Sequence, residues 1–118
     1  MGRIRLKDEV NPEYVMRITP DDKAFYFFWD IGRYTGISAR SLEEFYEKIS
    51  TAPPKSLEFH FVGGDFERWV REVLGDSHLA DMIGSINGSL KDKKLRAMLK
   101  MKIRRRINQL RSLLNAQK

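Results

Sequence analysis

Between Leu90 and about Leu114 the chain runs without a glycine or a proline. At about 1.5 Å rise per residue such a helix is nearly 40 Å long, and the rest of the molecule has to be built against it. Its apolar positions Leu95, Leu99, Ile103, Ile107, Leu110 and Leu114 follow steps of 4, 4, 4, 3 and 4, which keeps them on one side. That stripe needs a covering surface along its whole length. A small body is expected to cover only the first half, so Ile103, Ile107, Leu110 and Leu114 are candidates for a homodimer contact.

Charge is concentrated on the same segment. Residues 91–118 carry 11 Lys/Arg and 1 Asp/Glu, a net of +10, whereas residues 1–90 carry 11 and 15, a net of −4. At about 100° per residue, Lys93, Lys100, Arg104 and Arg111 fall within roughly 40° of one another beside the apolar stripe. Arg106 and Lys102 flank the stripe on its other side, and Arg105 and Lys94 point nearly opposite to it. Such a ridge can follow a phosphate backbone, releasing counterions at each contact. It can equally pair with acidic groups of the same assembly, or form the solvated face of a helix whose basic end complements the dipole. The expected partner is RNA or a ribonucleoprotein such as the ribosome, through Lys93, Lys100, Lys102, Arg104, Arg105, Arg106 and Arg111. The alternative is a regulatory module whose basic helix docks on an acidic protein surface. No base-reading motif accompanies the ridge, so backbone or shape recognition is the expectation.

Upstream, start and stop signals divide the chain into short helices. Asn11-Pro12, Thr19-Pro20, Ser41 with Glu44, Ser56, Asp65 and Ser77 are candidate caps or starts. Phe25, Phe28 and Trp29 form a helical face, although Phe-Tyr-Phe-Phe-Trp also has high strand propensity. Leu42, Phe45, Tyr46 and Ile49 make one buried stripe; Phe66, Trp69, Val70, Val73 and Leu74 make another; Leu79, Met82, Ile83 and Ile86 a third. Pro53-Pro54, Gly63-Gly64, Gly75 and Asn87-Gly88 separate them. Ser89 with Asp92 opens the last helix. The predicted fold is all-α: one domain over 1–118, with a flexible arm over 1–10, about five short helices over 11–88 and the basic helix over 89–115.

Composition bounds the remaining function classes. With 42% hydrophobic and 11% aromatic residues, 118 residues suffice for one core and not for two. No cysteine is present, which removes thiolate chemistry and disulfides and fits the cytosol. Few amides beside abundant Lys, Arg and Glu give a thermophile-like composition. The longest apolar run, Ala24 to Trp29, is far short of the roughly 20 residues that span a bilayer, and no apolar segment follows the basic N-terminus as in a signal peptide. His60 and His78 are the only candidate bases near neutral pH. Neither has a supporting constellation, so no catalytic residue, metal site, cofactor or small-molecule substrate is expected. A small hydrolase or sugar-binding domain using His60 is the third reading. Gly32-Arg33-Tyr34-Thr35-Gly36 lacks the lysine of a P-loop.

Ser41-Leu42-Glu43-Glu44-Phe45, Ser56-Leu57-Glu58-Phe59-His60-Phe61, Asp65-Phe66-Glu67-Arg68-Trp69, Leu74-Gly75-Asp76 and Leu79-Ala80 together resemble domain of unknown function 5752. The most specific part is the His-Phe pair followed by Asp-Phe-x-x-Trp. The resemblance covers roughly Phe25 to Leu99 and implies a small helical domain with no assigned activity. Gly63-Gly64-Asp65-Phe66-Glu67 is superficially similar to the diguanylate cyclase signature, but the order of its last residues differs and the chain is too short for that domain.

Overall fold

The structure, a computed structural model, describes residues 10–116. The arm expected over 1–10 falls outside them except for Val10, which packs part-buried against the core. In order, the elements are α1 (Pro12–Val15), a 3₁₀ turn (Asp21–Lys23), β1 (Phe25–Asp30), β2 (Arg33–Ala39), α2 (Leu42–Thr51), α3 (Pro54–Val62), α4 (Asp65–Trp69), α5 (Ser77–Gly84) and α6 (Asp92–Ala116). Residues Val70–Leu74 continue α4 as one π turn.

The all-α expectation is corrected by the antiparallel pair β1–β2, in which Phe25 faces Ala39 and Phe27 faces Ile37. Thr19 and Asp21 do not cap a helix at this point. The Thr19 amide donates to the Arg40 carbonyl at 2.7 Å, zipping the entrance of β1 to the exit of β2. Burial then follows a period of two, with Phe25 and Phe27 inside and Tyr26 outside. Trp29, placed by helical spacing on a buried face, is 38% exposed. The register shifts after Phe27, where the Thr35 hydroxyl donates to the Phe27 carbonyl (2.7 Å) and accepts the Ile37 amide (3.0 Å). This bulge is why the alternation does not carry Trp29 inward.

Several caps also move. Ser41 caps α2 as read, its Oγ accepting the Glu44 amide at 3.1 Å. α3 instead begins at Pro54, and Ser56 lies buried in its first turn with no partner for its hydroxyl among the described residues. Gly64, in the left-handed region at φ 74°, precedes α4, so Asp65 is its first residue and not its cap. Asp76 replaces Ser77 as the cap of α5, its Oδ1 accepting the Leu79 amide. α6 starts at Asp92, whose amide donates to the Glu58 carboxylate of α3 at 3.1 Å.

Two kinds of core meet in one body. Phe25, Phe27, Phe45, Phe66 and Trp69 form an aromatic cluster between the hairpin, α2 and α4, with Phe25 and Phe27 rings 4.8 Å apart and Phe45 and Trp69 rings 5.0 Å apart. Leu95, Leu99, Ile103, Ile107 and Leu110 of α6 form an aliphatic wall against α2, α3, α5 and α1. The cover extends beyond the first half of the stripe. Ile103, Ile107 and Leu110 are 0%, 4% and 0% exposed within one chain, which corrects their assignment to a subunit contact. Leu114 is part-exposed and Leu113 exposed.

Candidate functional site

α6 carries the predicted site, and the fold sorts its cations into groups. Arg106 is buried: its Nε and Nη2 donate to both carboxylate oxygens of Asp76 at 2.8 and 3.2 Å, and its Nη1 donates to Gln109. Asp76 is fully buried, so the guanidinium is what compensates it, and Arg106 is removed from the nucleic-acid set. The angular position beside the stripe that made Arg106 look like a flank is here the inner edge of the helix.

Of the ridge Lys93, Lys100, Arg104 and Arg111, the last three face α2, whereas Lys93 lies near Pro54 of α3. Arg111 pairs with Glu43, and Arg104 Nη2 donates to the Tyr46 hydroxyl at 2.7 Å. The Arg104 guanidinium lies 4.7 Å from the Tyr46 ring centre and the Lys100 ammonium 5.6 Å. About half of the ridge is therefore occupied by its own chain, which was one of the three readings of the pattern. Arg96 is also engaged, donating to the Ile49 carbonyl at the C-terminal end of α2 at 2.7 Å.

Among the described residues no carboxylate pairs with Lys91, Lys93, Lys94, Lys100, Lys102, Arg104 or Arg105. Lys94 and Arg105 stand on the solvent side of the helix, with exposed Met101 between them. Lys91, Lys93, Lys94 and Arg96, with Asp92 among them and Pro54 of α3, line a hollow of about 730 Å³ at the head of α6. Lys91, Lys94 and Arg96 were absent from the residue set drawn from the sequence. The charge excess included all three, but an angular plot of an isolated helix does not show that α3 leaves the head of α6 open.

The other polar constellation is at the hairpin. His60 Nε2 accepts the Phe28 amide at 2.8 Å, so Nδ1 carries the proton and donates it to Asp65 Oδ2 at 2.8 Å. Asp65 Oδ1 accepts from Arg68 at 2.8 Å. Burial lowers the His60 pKa below its ordinary 6.5, against the raising effect of Asp65, and the imidazole is held neutral near pH 7. For Asp65, burial pushes upward but the hydrogen bonds from His60 and Arg68 outweigh it, keeping the carboxyl ionised. Neither ring nitrogen is open to a substrate. His60 is the bolt that fastens β1 to α3.

Among the described residues no group of three or more His, Cys, Asp or Glu could hold a metal, and no helix is long and apolar enough to cross a membrane. No protein-family model, curated protein or solved structure matches this chain.

Proposed function

We propose that this chain is a binding protein that lays the outer, basic face of α6 along the phosphate backbone of RNA, free or within a ribonucleoprotein such as the ribosome. One observation carries the reading: Lys93, Lys94, Lys100, Lys102, Arg104 and Arg105 of the 25-residue helix, and Lys91 just before it, have no carboxylate partner among the described residues, although the remainder of the chain is net acidic. Carboxylates hold Arg106 and Arg111, the Ile49 carbonyl holds Arg96 and Tyr46 holds Arg104 and Lys100, whereas Lys93, Lys94, Lys102 and Arg105 are engaged by none of these. Lysine and arginine along a convex helix suit backbone contact, where each neutralised phosphate releases counterions. The resemblance of residues 25–99 to domain of unknown function 5752 supplies no activity to set beside it.

The test is fluorescence anisotropy of a labelled RNA hairpin titrated at several salt concentrations. With three or four phosphate contacts the log–log salt slope is roughly −2 to −4. Lys94→Gln with Arg105→Gln makes that slope shallower by about one to two and weakens unrelated RNA sequences alike, since phosphate contacts position without specifying. Both side chains are exposed and neither pairs with a carboxylate among the described residues, so the fold is retained. If the parent does not bind RNA at low salt, the acidic protein surface replaces RNA as the partner. Binding of the double variant with an unchanged slope would place the RNA elsewhere on the chain.

A further inference from the structure

The cations of α6 that no carboxylate holds among the described residues fall into two bands. Lys91, Lys93 and Lys94 stand at the head of the helix, and Lys100, Lys102, Arg104 and Arg105 stand further along. The band centres, near residues 93 and 103, are about 15 Å apart at about 1.5 Å per residue. The gap between them holds one cation, Arg96, which the Ile49 carbonyl already engages. On the solvent side the gap is crossed by Ala97 and Met101, both exposed and uncharged. Asp92 stands within the head band and the Glu58 carboxylate caps its amide, so a phosphate there meets lysine ammoniums and not the helix end.

Two further features select among forms of RNA. Proteins that hold single strands combine a basic groove with aromatic side chains on which the bases stack. α6 contains no aromatic residue. Tyr46, which adjoins it, has Arg104 and Lys100 over its ring, and the exposed Tyr26, Trp29 and Tyr34 belong to the hairpin. The second feature is that α6 is seated in the body, with Leu95, Leu99, Ile103 and Ile107 buried, so that only its outer side projects. A helix held in this way cannot sink into the B-form major groove, which is about 8.5 Å deep. The minor groove of an RNA duplex is wide and shallow, with riboses on its floor and a phosphate row on either side. Two cation bands with a small apolar step between them have the complementary profile.

We propose that α6 lies across the minor groove of double-stranded RNA, with the head band on one phosphate row, the second band on the other, and Ala97 and Met101 over the riboses. This assignment rests on the RNA reading of the same face and narrows its substrate to a duplex.

Competition anisotropy with the full chain at low salt compares a short RNA duplex, the DNA duplex of the same sequence and a polyuridine with as many phosphates. The RNA duplex binds about tenfold more tightly than either of the others. Lys91→Gln with Lys94→Gln in the head band, and Lys102→Gln with Arg105→Gln in the second, each make the duplex salt slope shallower by about two. Ala97→Trp, at an exposed position, keeps the fold, lowers duplex affinity about threefold by standing the helix off the groove, and raises polyuridine affinity by supplying a stacking face. Polyuridine or the DNA duplex binding as tightly as the RNA duplex overturns the proposal and leaves the RNA reading in place. If neither RNA form binds, both fail. A slope that responds to only one pair of substitutions, or an unchanged ratio of duplex to polyuridine affinity in Ala97→Trp, shows that the helix does not bridge the groove and overturns the proposal alone.

Discussion

At the hairpin end the buried titratable group is a neutral imidazole, whereas beneath α6 it is an ion pair. His60 accepts one backbone amide and donates one proton to a carboxylate that is itself part-exposed. Arg106 and Asp76 are both buried, and Asp76 also holds the first turn of α5. The two devices solve different problems. A two-stranded ribbon is marginal alone and has to be fastened by its edge, which needs one acceptor at one amide. A long helix in an aliphatic groove can slide by a turn with little loss of burial, and a two-pronged charge pair makes one position unique. The difference teaches that the basic helix is a structural wall first, with only its remaining cations free to bind.

The largest way to break the comparison is Arg106→Leu. Leaving the Asp76 carboxylate buried without its cation should destabilise by about 3–5 kcal/mol in urea unfolding, and adding Asp76→Ala should recover part of it. A loss below about 1 kcal/mol in the single variant would mean that the ion pair does not hold α6. Leu110→Ala should cost about 3 kcal/mol through the cavity it leaves in the wall. That cost should not vary with protein concentration; a dependence on concentration would restore Leu110 to a subunit contact.

His60→Leu should cost about 2 kcal/mol by orphaning the Phe28 amide. It also carries the pH signature. The folded-state pKa lies below the ordinary 6.5 of an unfolded histidine, so the unfolded chain binds the extra proton first. The stabilisation is complete above pH 6.5 and is lost as pH falls through the lower, folded value. The lowered Asp65 value adds a loss of the same sign at more acid pH, below its ordinary 3.8. In urea melts between pH 7 and 5 the parent should weaken and the His60→Leu variant should not. The smallest effect is expected at Gly75, which closes the π turn at φ 80° with a Tyr14 ring carbon 3.0 Å from where a Cβ would stand. Gly75→Ala should cost about 1 kcal/mol, through the left-handed backbone and the displaced ring.

Legibility in the sequence followed the range of each interaction. Ser41 with Glu44 and Asn11 before Pro12 are local signals, and both caps form as read, with Asn11 Oδ1 accepting the Glu13 and Tyr14 amides. The stripes of α2 and α6 are buried as their periods required, apart from part-exposed Tyr46 and Leu114. The hairpin was missed because proline and acid at Thr19–Asp22 mimic a helix start, while the competing signal, the pairing of Thr19 with Arg40, spans 21 residues. Arg106 was misplaced for a related reason. Its position beside the stripe is the same whether it points at solvent or at Asp76, 30 residues away, and only the packing of α5 decides. Glu58 as a cap for Asp92 has no local signature at all.

Because α6 supplies one wall of the core, the chain cannot complete its interior until its last quarter exists. During synthesis from the N-terminus, Leu57, Leu79 and Ile83 are made long before the leucines and isoleucines that cover them, and the Glu58 carboxylate waits 34 residues for the amide it will hold. A nascent body ending near Asn87 therefore presents an aliphatic trough to water, the kind of surface that recruits chaperones or self-associates. Stop codons anywhere before about Leu110 should thus yield protein that is degraded, and none that is partly active.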